Sequence, residues 1–173
     1  MKLKRLTLNG LLVAVSLAVS AAGVEYGTRL LFPALTPSGH LRFVAGSDTM
    51  PALGPRNAQF RQIKNTGDFN VQVNFNKYGF RDSKDLATSS PQDYFLVGDS
   101  LSFGWGVKES ERYSDLFQTA LKRKVFNLCI PGDIDEFEKV LDYAEKNGAK
   151  VTHLLLAISM AFNLKDYEKN AEE

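Results

Sequence analysis

FLVGDSLSFGWGV, Phe95–Val107, is the passage whose reading decides the fold. The apolar run Tyr94–Val97 stops at Gly98-Asp99-Ser100, and further glycines follow at once. A short apolar run bounded by turn residues is the pattern of a strand covered on both faces, as in parallel sheets. Downstream, strand and helix patterns alternate. Ser110 can cap a helix carrying Tyr113, Leu116, Phe117, Ala120 and Leu121 at three-and-four spacing, with Lys122, Arg123 and Lys124 at its negative end. Val125–Ile130 reads as the next strand. Asp133 or Asp135 can start a second helix with Phe137, Val140, Leu141 and Ala144 inward, ended by Asn147-Gly148. Thr152–Ile158 is a third strand. Strand–helix–strand–helix–strand implies an α/β fold with a parallel sheet and right-handed crossovers.

Upstream, DFNVQVNFN (Asp68–Asn76) alternates, with Phe69, Val71, Val73 and Phe75 on one face, the mark of a half-buried strand. It leads into NKYGFRD, and TSSPQ (Thr88–Gln92) forms a loop before the core. From Pro33 to about Arg61 the text is loop-like, with Pro33, Pro37, Pro51 and Pro55. Before that, Lys2, Lys4 and Arg5 precede the charge-free Leu6–Val24. About 20 apolar residues span a bilayer as a helix. The basic flank puts the N-terminus in the cytoplasm and the rest outside. Ser20 and Ala22 offer a signal peptidase small residues. The anchor reading is preferred because Glu25–Phe32 continues the helix, with Tyr26 and Arg29 at the interface. The expected organisation is a signal-anchor or signal-peptide helix over 1–32, a linker and irregular lead-in over 33–92, and the α/β domain over 93–173. The domain is exported, and secreted if the leader is cleaved.

With 44% hydrophobic residues among 173, the chain can bury one core. Lys+Arg 21 against Asp+Glu 20 leaves no basic excess to point to nucleic acid. The single cysteine, Cys129, excludes an internal disulfide, and its apolar setting makes it a buried inert thiol. Two histidines, His40 and His153, leave little room for a histidine metal site.

Open parallel sheets bind ligands beyond the carboxyl ends of their strands. Those ends carry Gly98-Asp99-Ser100, Pro131-Gly132 and, past the third strand, Phe162-Asn163. A serine hydroxyl can attack a carbonyl, and a glycine N–H with an asparagine amide can hold the oxyanion. Each segment also has a plain reading: a turn at Gly98–Ser100, a helix-opening turn at IPGD, and solvated or capping roles for Asp135 and Asp166; Trp105 either lines the substrate site or packs over the core as a loop aromatic.

GDSLSFGWGV resembles the first block of the SGNH (GDSL) hydrolases, FNLCIPG is similar to their second block, and the Asn163 region to their third. NKYGFRD resembles the segment that precedes the first block in exported bacterial members. The likeness extends over Asn74–Asn163, about half of the chain. It implies a flavodoxin-like three-layer α/β/α sandwich and metal-free hydrolysis of esters, lipids and acetylated sugars among them. Ser100 would be the nucleophile, its own N–H, the Gly132 N–H and the Asn163 side chain the oxyanion donors, and Asp99 a stiffener of the loop. AFNLKD departs from the family pattern, which has Gly before and Asp after the asparagine.

The family's Asp-x-x-His pair does not follow Asn163. His153, at the start of the third strand, belongs at the opposite sheet edge, and His40 lies in the lead-in. Only the first three strands of the order 2-1-3-4-5 are found, leaving an apolar third strand as an edge. The expectation is therefore a membrane-anchored SGNH-type esterase domain, incomplete at its C-terminus, needing no cofactor, inactive alone and completed, if at all, by a second polypeptide. The rival is a non-catalytic envelope protein that binds a glycan or partner. A nucleotide-binding doubly wound domain is weaker, since no G-x-G-x-x-G follows the first strand.

Overall fold

The computed structural model describes residues 2–32, 41–64 and 66–159. His40, Asn163, Asp166 and the linker prolines Pro33 and Pro37 lie outside the described residues. Helix α1 spans Lys2–Leu31. Its stretch Thr7–Leu31, 25 residues of mean hydropathy 1.8, is long and apolar enough to cross a membrane. Near its end Arg29 pairs with Glu25 at 2.6 Å, one turn back.

The lead-in folds into an antiparallel hairpin, β1 (Gln59–Ile63) with β2 (Asn70–Asn74), in register Gln59↔Asn74 to Ile63↔Asn70. The alternation read over Asp68–Asn76 holds: Val71, Val73 and Phe75 are buried. Strand β1 corrects the loop-like reading that ran to Arg61. Its inward positions are Phe60 and Gln62, and the buried glutamine breaks the apolar alternation that would have marked a strand.

The main sheet is parallel, in the order β4-β3-β5: β4 is Val125–Asn127, β3 Tyr94–Gly98 and β5 His153–Ala157. Beyond β4 the pairing continues, with Leu128 N–H on Leu96 O (2.9 Å) and Ile130 N–H on Gly98 O (3.2 Å). On one face Phe95, Val97, Phe126, Leu128 and Ile130 meet Phe137, Val140, Tyr143 and Ala144 of α4 (Asp135–Lys146). On the other, Leu96, Val125 and Cys129 meet the hairpin's Val71, Val73 and Phe75, Phe103 of the short α2 (Ser100–Phe103) and Leu121 of α3 (Tyr113–Leu121).

Three local readings are corrected. Ser110 does not cap α3; it lies in a 3-10 turn, Glu109–Glu111, and Arg112 stands at the cap without a side-chain bond. The stripe of α3 faces outward, with Tyr113, Leu116 and Phe117 exposed and Ser114 buried. Polar bonds set this rotation: Asn127 Nδ2 donates to Ser114 Oγ at 3.0 Å, and the buried Arg112 donates through Nε to Asp115 at 2.8 Å. Helix α4 begins at Asp135, one of the two expected starts, but Ile134 rather than either aspartate holds the cap position. Asp135, Glu136 and Glu138 instead place negative charge in its first turn, which suits the positive end of the helix.

Among the described residues β5 pairs on one side only. Leu154, Leu156 and Ile158 remain 44%, 50% and 37% exposed. The leucines are therefore expected to add little to stability. Leu154→Thr with Leu156→Thr should change unfolding free energy in urea by under about 0.5 kcal/mol and reduce light scattering by aggregates. Val140→Ala, in the buried core, should cost about 2 kcal/mol. A loss of that size in the double variant would mean that β5 is covered.

Candidate functional site

Strand β3 ends at Gly98 and α2 begins two residues later at Ser100, so the serine stands where a parallel strand passes directly into a helical turn. The close approach requires glycine at 98. A Cβ there would lie 2.6 Å from Ser102 Oγ and 3.0 Å from Ala157 Cβ of β5. Asp99 caps the turn, its carboxylate accepting the N–H groups of Leu101 (2.9 Å) and Ser102 (3.4 Å). Neither the Ser100 N–H nor its hydroxyl finds a hydrogen-bond partner among the described residues. Ser100 is half-buried, while Leu101 and Trp105 beside it are exposed.

Gly132 reaches the same rim. It lies two residues beyond Ile130, as Ser100 lies two beyond Gly98, and Ile130 and Gly98 are bonded to each other. Its N–H donates to Ile130 O at 2.9 Å, closing a tight turn over Pro131. An oxyanion at this position would compete with that carbonyl. Of the three segments expected to converge, two are delivered to one rim by the register of β3 and β4; Asn163 is outside the described residues.

The nearby titratable groups are poor proton acceptors for Ser100. His153 pairs with Tyr94 while Gly98 pairs with Ala157, so four residues, or ~13 Å at about 3.3 Å each, separate His153 from the serine's rim. It is exposed and stacks near Tyr94, with ring centroids 5.1 Å apart. Tyr113 donates to Ser102 Oγ at 2.9 Å, and burial pushes its phenol up to about 12. The Cys129 thiol is fully buried, which drives its pKa up and keeps it inert. Among the described residues, no group of three His, Cys, Asp or Glu side chains could hold a metal ion.

Beneath the serine lies a polar network that hydrophobic patterning did not reveal. Asn127 Nδ2 donates to Ser102 O (3.0 Å) and to Ser114 Oγ, its Oδ1 accepts the Cys129 N–H (3.0 Å), and its N–H donates to Asp82 Oδ2 (2.6 Å). Asp82 and Arg81 come from NKYGFRD, whose Asn76 Oδ1 accepts the N–H groups of Tyr78 (2.9 Å) and Phe80 (3.1 Å). Charged residues in a short segment between strand patterns were the signal; nothing in their spacing told that they are buried.

None of the family models, curated proteins or solved structures compared with the chain matches it.

The two rim glycines should differ on substitution. Gly98→Ala forces Ser102 and β5 apart and should cost about 1–3 kcal/mol, whereas the nearest atoms to a Cβ on Gly132 lie at 3.5 Å. Gly132→Ala should stay within about 0.5 kcal/mol. Urea titrations of the two variants make the comparison, and equal losses would contradict the packing at Gly98.

Proposed function

We propose that this chain carries the nucleophile and oxyanion elements of an SGNH-type serine hydrolase, held outside the cytoplasm by α1. Ser100 accepts the acyl group, and the N–H of Ser100, the N–H of Gly132 and the Asn163 side chain are the oxyanion donors. The observation that carries this reading is the position of Ser100 at the β3–α2 turn, with its N–H unspent among the described residues and the Gly132 segment beside it on the rim. The strand order β4-β3-β5, with α3 and α4 contributing to opposite faces, also suits the first three strands of a flavodoxin-like sandwich.

In the reaction, Ser100 Oγ bonds to the ester carbonyl carbon as its proton passes to a base. The tetrahedral oxyanion collapses, and the alcohol leaves with a proton. Water then cleaves the acyl-serine to release the acid and restore the hydroxyl. The substrate class is an ester of an acyl or acetyl group on a lipid or carbohydrate. Among the described residues His153 stands at the far end of β5 and Tyr113 is held protonated, so neither serves as the base, and a second polypeptide is the proposed source. The side of β5 that is unpaired among the described residues is where that polypeptide would extend the sheet.

A non-catalytic reading, in which the rim binds a glycan or partner, is favoured by one observation: the Gly132 N–H is already bonded to Ile130 O. A fluorophosphonate probe separates the two. We expect labelling of this chain in native membranes that is lost in Ser100→Ala, and no p-nitrophenol release from short-chain esters by the purified chain. Labelling that persists in Ser100→Ala, or none in membranes, would leave the binding reading.

A further inference from the structure

Arg81 is one of the most deeply buried side chains of the protein, 1% exposed, and its guanidinium has no carboxylate partner within ion-pair distance among the described residues. Backbone carbonyls surround it instead. Nη1 donates to Phe103 O (3.3 Å) and Gly104 O, and Nη2 to Val107 O (2.6 Å) and Gln72 O of β2 (3.5 Å). The guanidinium carbon also lies 5.3 Å from the centroid of the Phe103 ring. Three of these carbonyls belong to the loop that closes the helical turn of Ser100.

That loop is tied to the serine from its other side. The Gly104 N–H donates to Leu101 O and the Trp105 N–H to Ser100 O, both at 3.1 Å. The Gly106 N–H is held by Gln62 Oε1 of β1 at 2.9 Å, and Phe69 packs against Gly106. Gly104 has φ +86, and a Cβ there would press on Arg112 and lie 3.2 Å from Arg81 Nη1. The loop therefore wraps a guanidinium, with its two ends fixed to Ser100 and to the hairpin.

Stability alone does not explain a guanidinium here. Burial, and next the neighbouring Arg112, lower the Arg81 pKa to about 10, and its Nε has no partner among the described residues. An apolar side chain would avoid that desolvation but would leave the carbonyls of Phe103, Gly104, Val107 and Gln72 without this donor. What the planar fork supplies is direction, since it fixes several acceptors in one plane as a lysine cannot. We propose that Arg81 is a positioning residue for Ser100, gathering the carbonyls of Phe103, Gly104 and Val107 so that the serine's turn and the exposed Trp105 hold one geometry at the rim. The proposal rests on the reading of Ser100 as the nucleophile.

Trp105 is the single tryptophan of the chain, so its fluorescence reports the loop directly. The test compares the full-length wild type, Arg81→Lys and Gln62→Ala by three readouts: tryptophan emission with acrylamide quenching, thermal midpoint, and the rate of fluorophosphonate labelling in native membranes. Arg81→Lys keeps the charge and loses the fork. It should red-shift Trp105, raise its quenching, and slow labelling by about tenfold or more while the chain still melts cooperatively. Gln62→Ala, which frees only the Gly106 N–H, should move the same readouts less; it decides the matter if Arg81→Lys does not fold. A lower midpoint with unchanged Trp105 quenching and labelling would overturn the proposal and leave Arg81 a structural residue. Absence of labelling in the wild type would remove the hydrolase reading, and the Trp105 readouts would then decide by themselves whether Arg81 orders the loop.

Discussion

Strand β3 has to stay hydrogen-bonded to both neighbours as far as Gly98 and then pass at once into a helical turn. The carbonyl of Gly98 accepts the Ile130 N–H, while Ala157 of β5 and Ser102 crowd the place where a Cβ on residue 98 would stand. Any side chain at 98 would separate these three contacts, so the packing of the sheet and the placing of Ser100 are one constraint. Asp99 completes it by taking up the N–H groups of Leu101 and Ser102, and the Ser100 N–H has no partner among the described residues. The same register carries the Pro131-Gly132 turn to the neighbouring position.

Around this turn the protein uses polar contacts where apolar packing would serve stability as well. Asn127, the last residue of β4, is fully buried and binds groups on α2 and α3 and in the Asp82 segment. A satisfied buried network specifies one arrangement, because any other leaves polar groups unpaired at a cost of about 1–3 kcal/mol each. The orientation of α3 follows from this. Its apolar stripe could have turned inward, but Ser114 and Arg112 would then have lost their partners. Arg81 Nε and Gln62 Nε2, buried without a hydrogen-bond partner among the described residues, belong to side chains that hold the segment after α2. A fold that keeps such atoms buried is keeping position at the expense of some stability.

The sheet strands were legible because each is a short, mostly apolar run between turn residues: Tyr94–Val97, Val125–Ile130 and Thr152–Ile158 each contain the observed strand or nearly all of it. Helix α4 was legible for the related reason that Phe137, Val140 and Ala144 form one stripe against a single face. Strand β1 was not, because its fully buried position is Gln62. The face of α3 was misread because periodicity ranks apolar above polar side chains, while here Ser114 had a partner waiting and Leu116 did not. At the candidate site, Ser100 and Gly132 could be read from turn residues at strand ends. Arg81 could not, since a buried arginine bound by carbonyls leaves no periodic trace.

The flank of β5 that is unpaired among the described residues and the rim of Ser100 are contiguous, and that bears on where a proton acceptor can stand. Ala157, at the carboxyl end of β5, already touches the Gly98 position, so a strand added in parallel along β5 would end beside the same rim. Two strand spacings separate such a strand from β3, about 10 Å, a distance that a loop following it can cross. The exposed leucines of β5 would gain cover from whatever helix accompanies that strand. A polypeptide that repaired the sheet would therefore bring its strand-end residues toward Ser100 by geometry alone. His153 cannot do so, because the parallel register sends it to the other end of β5.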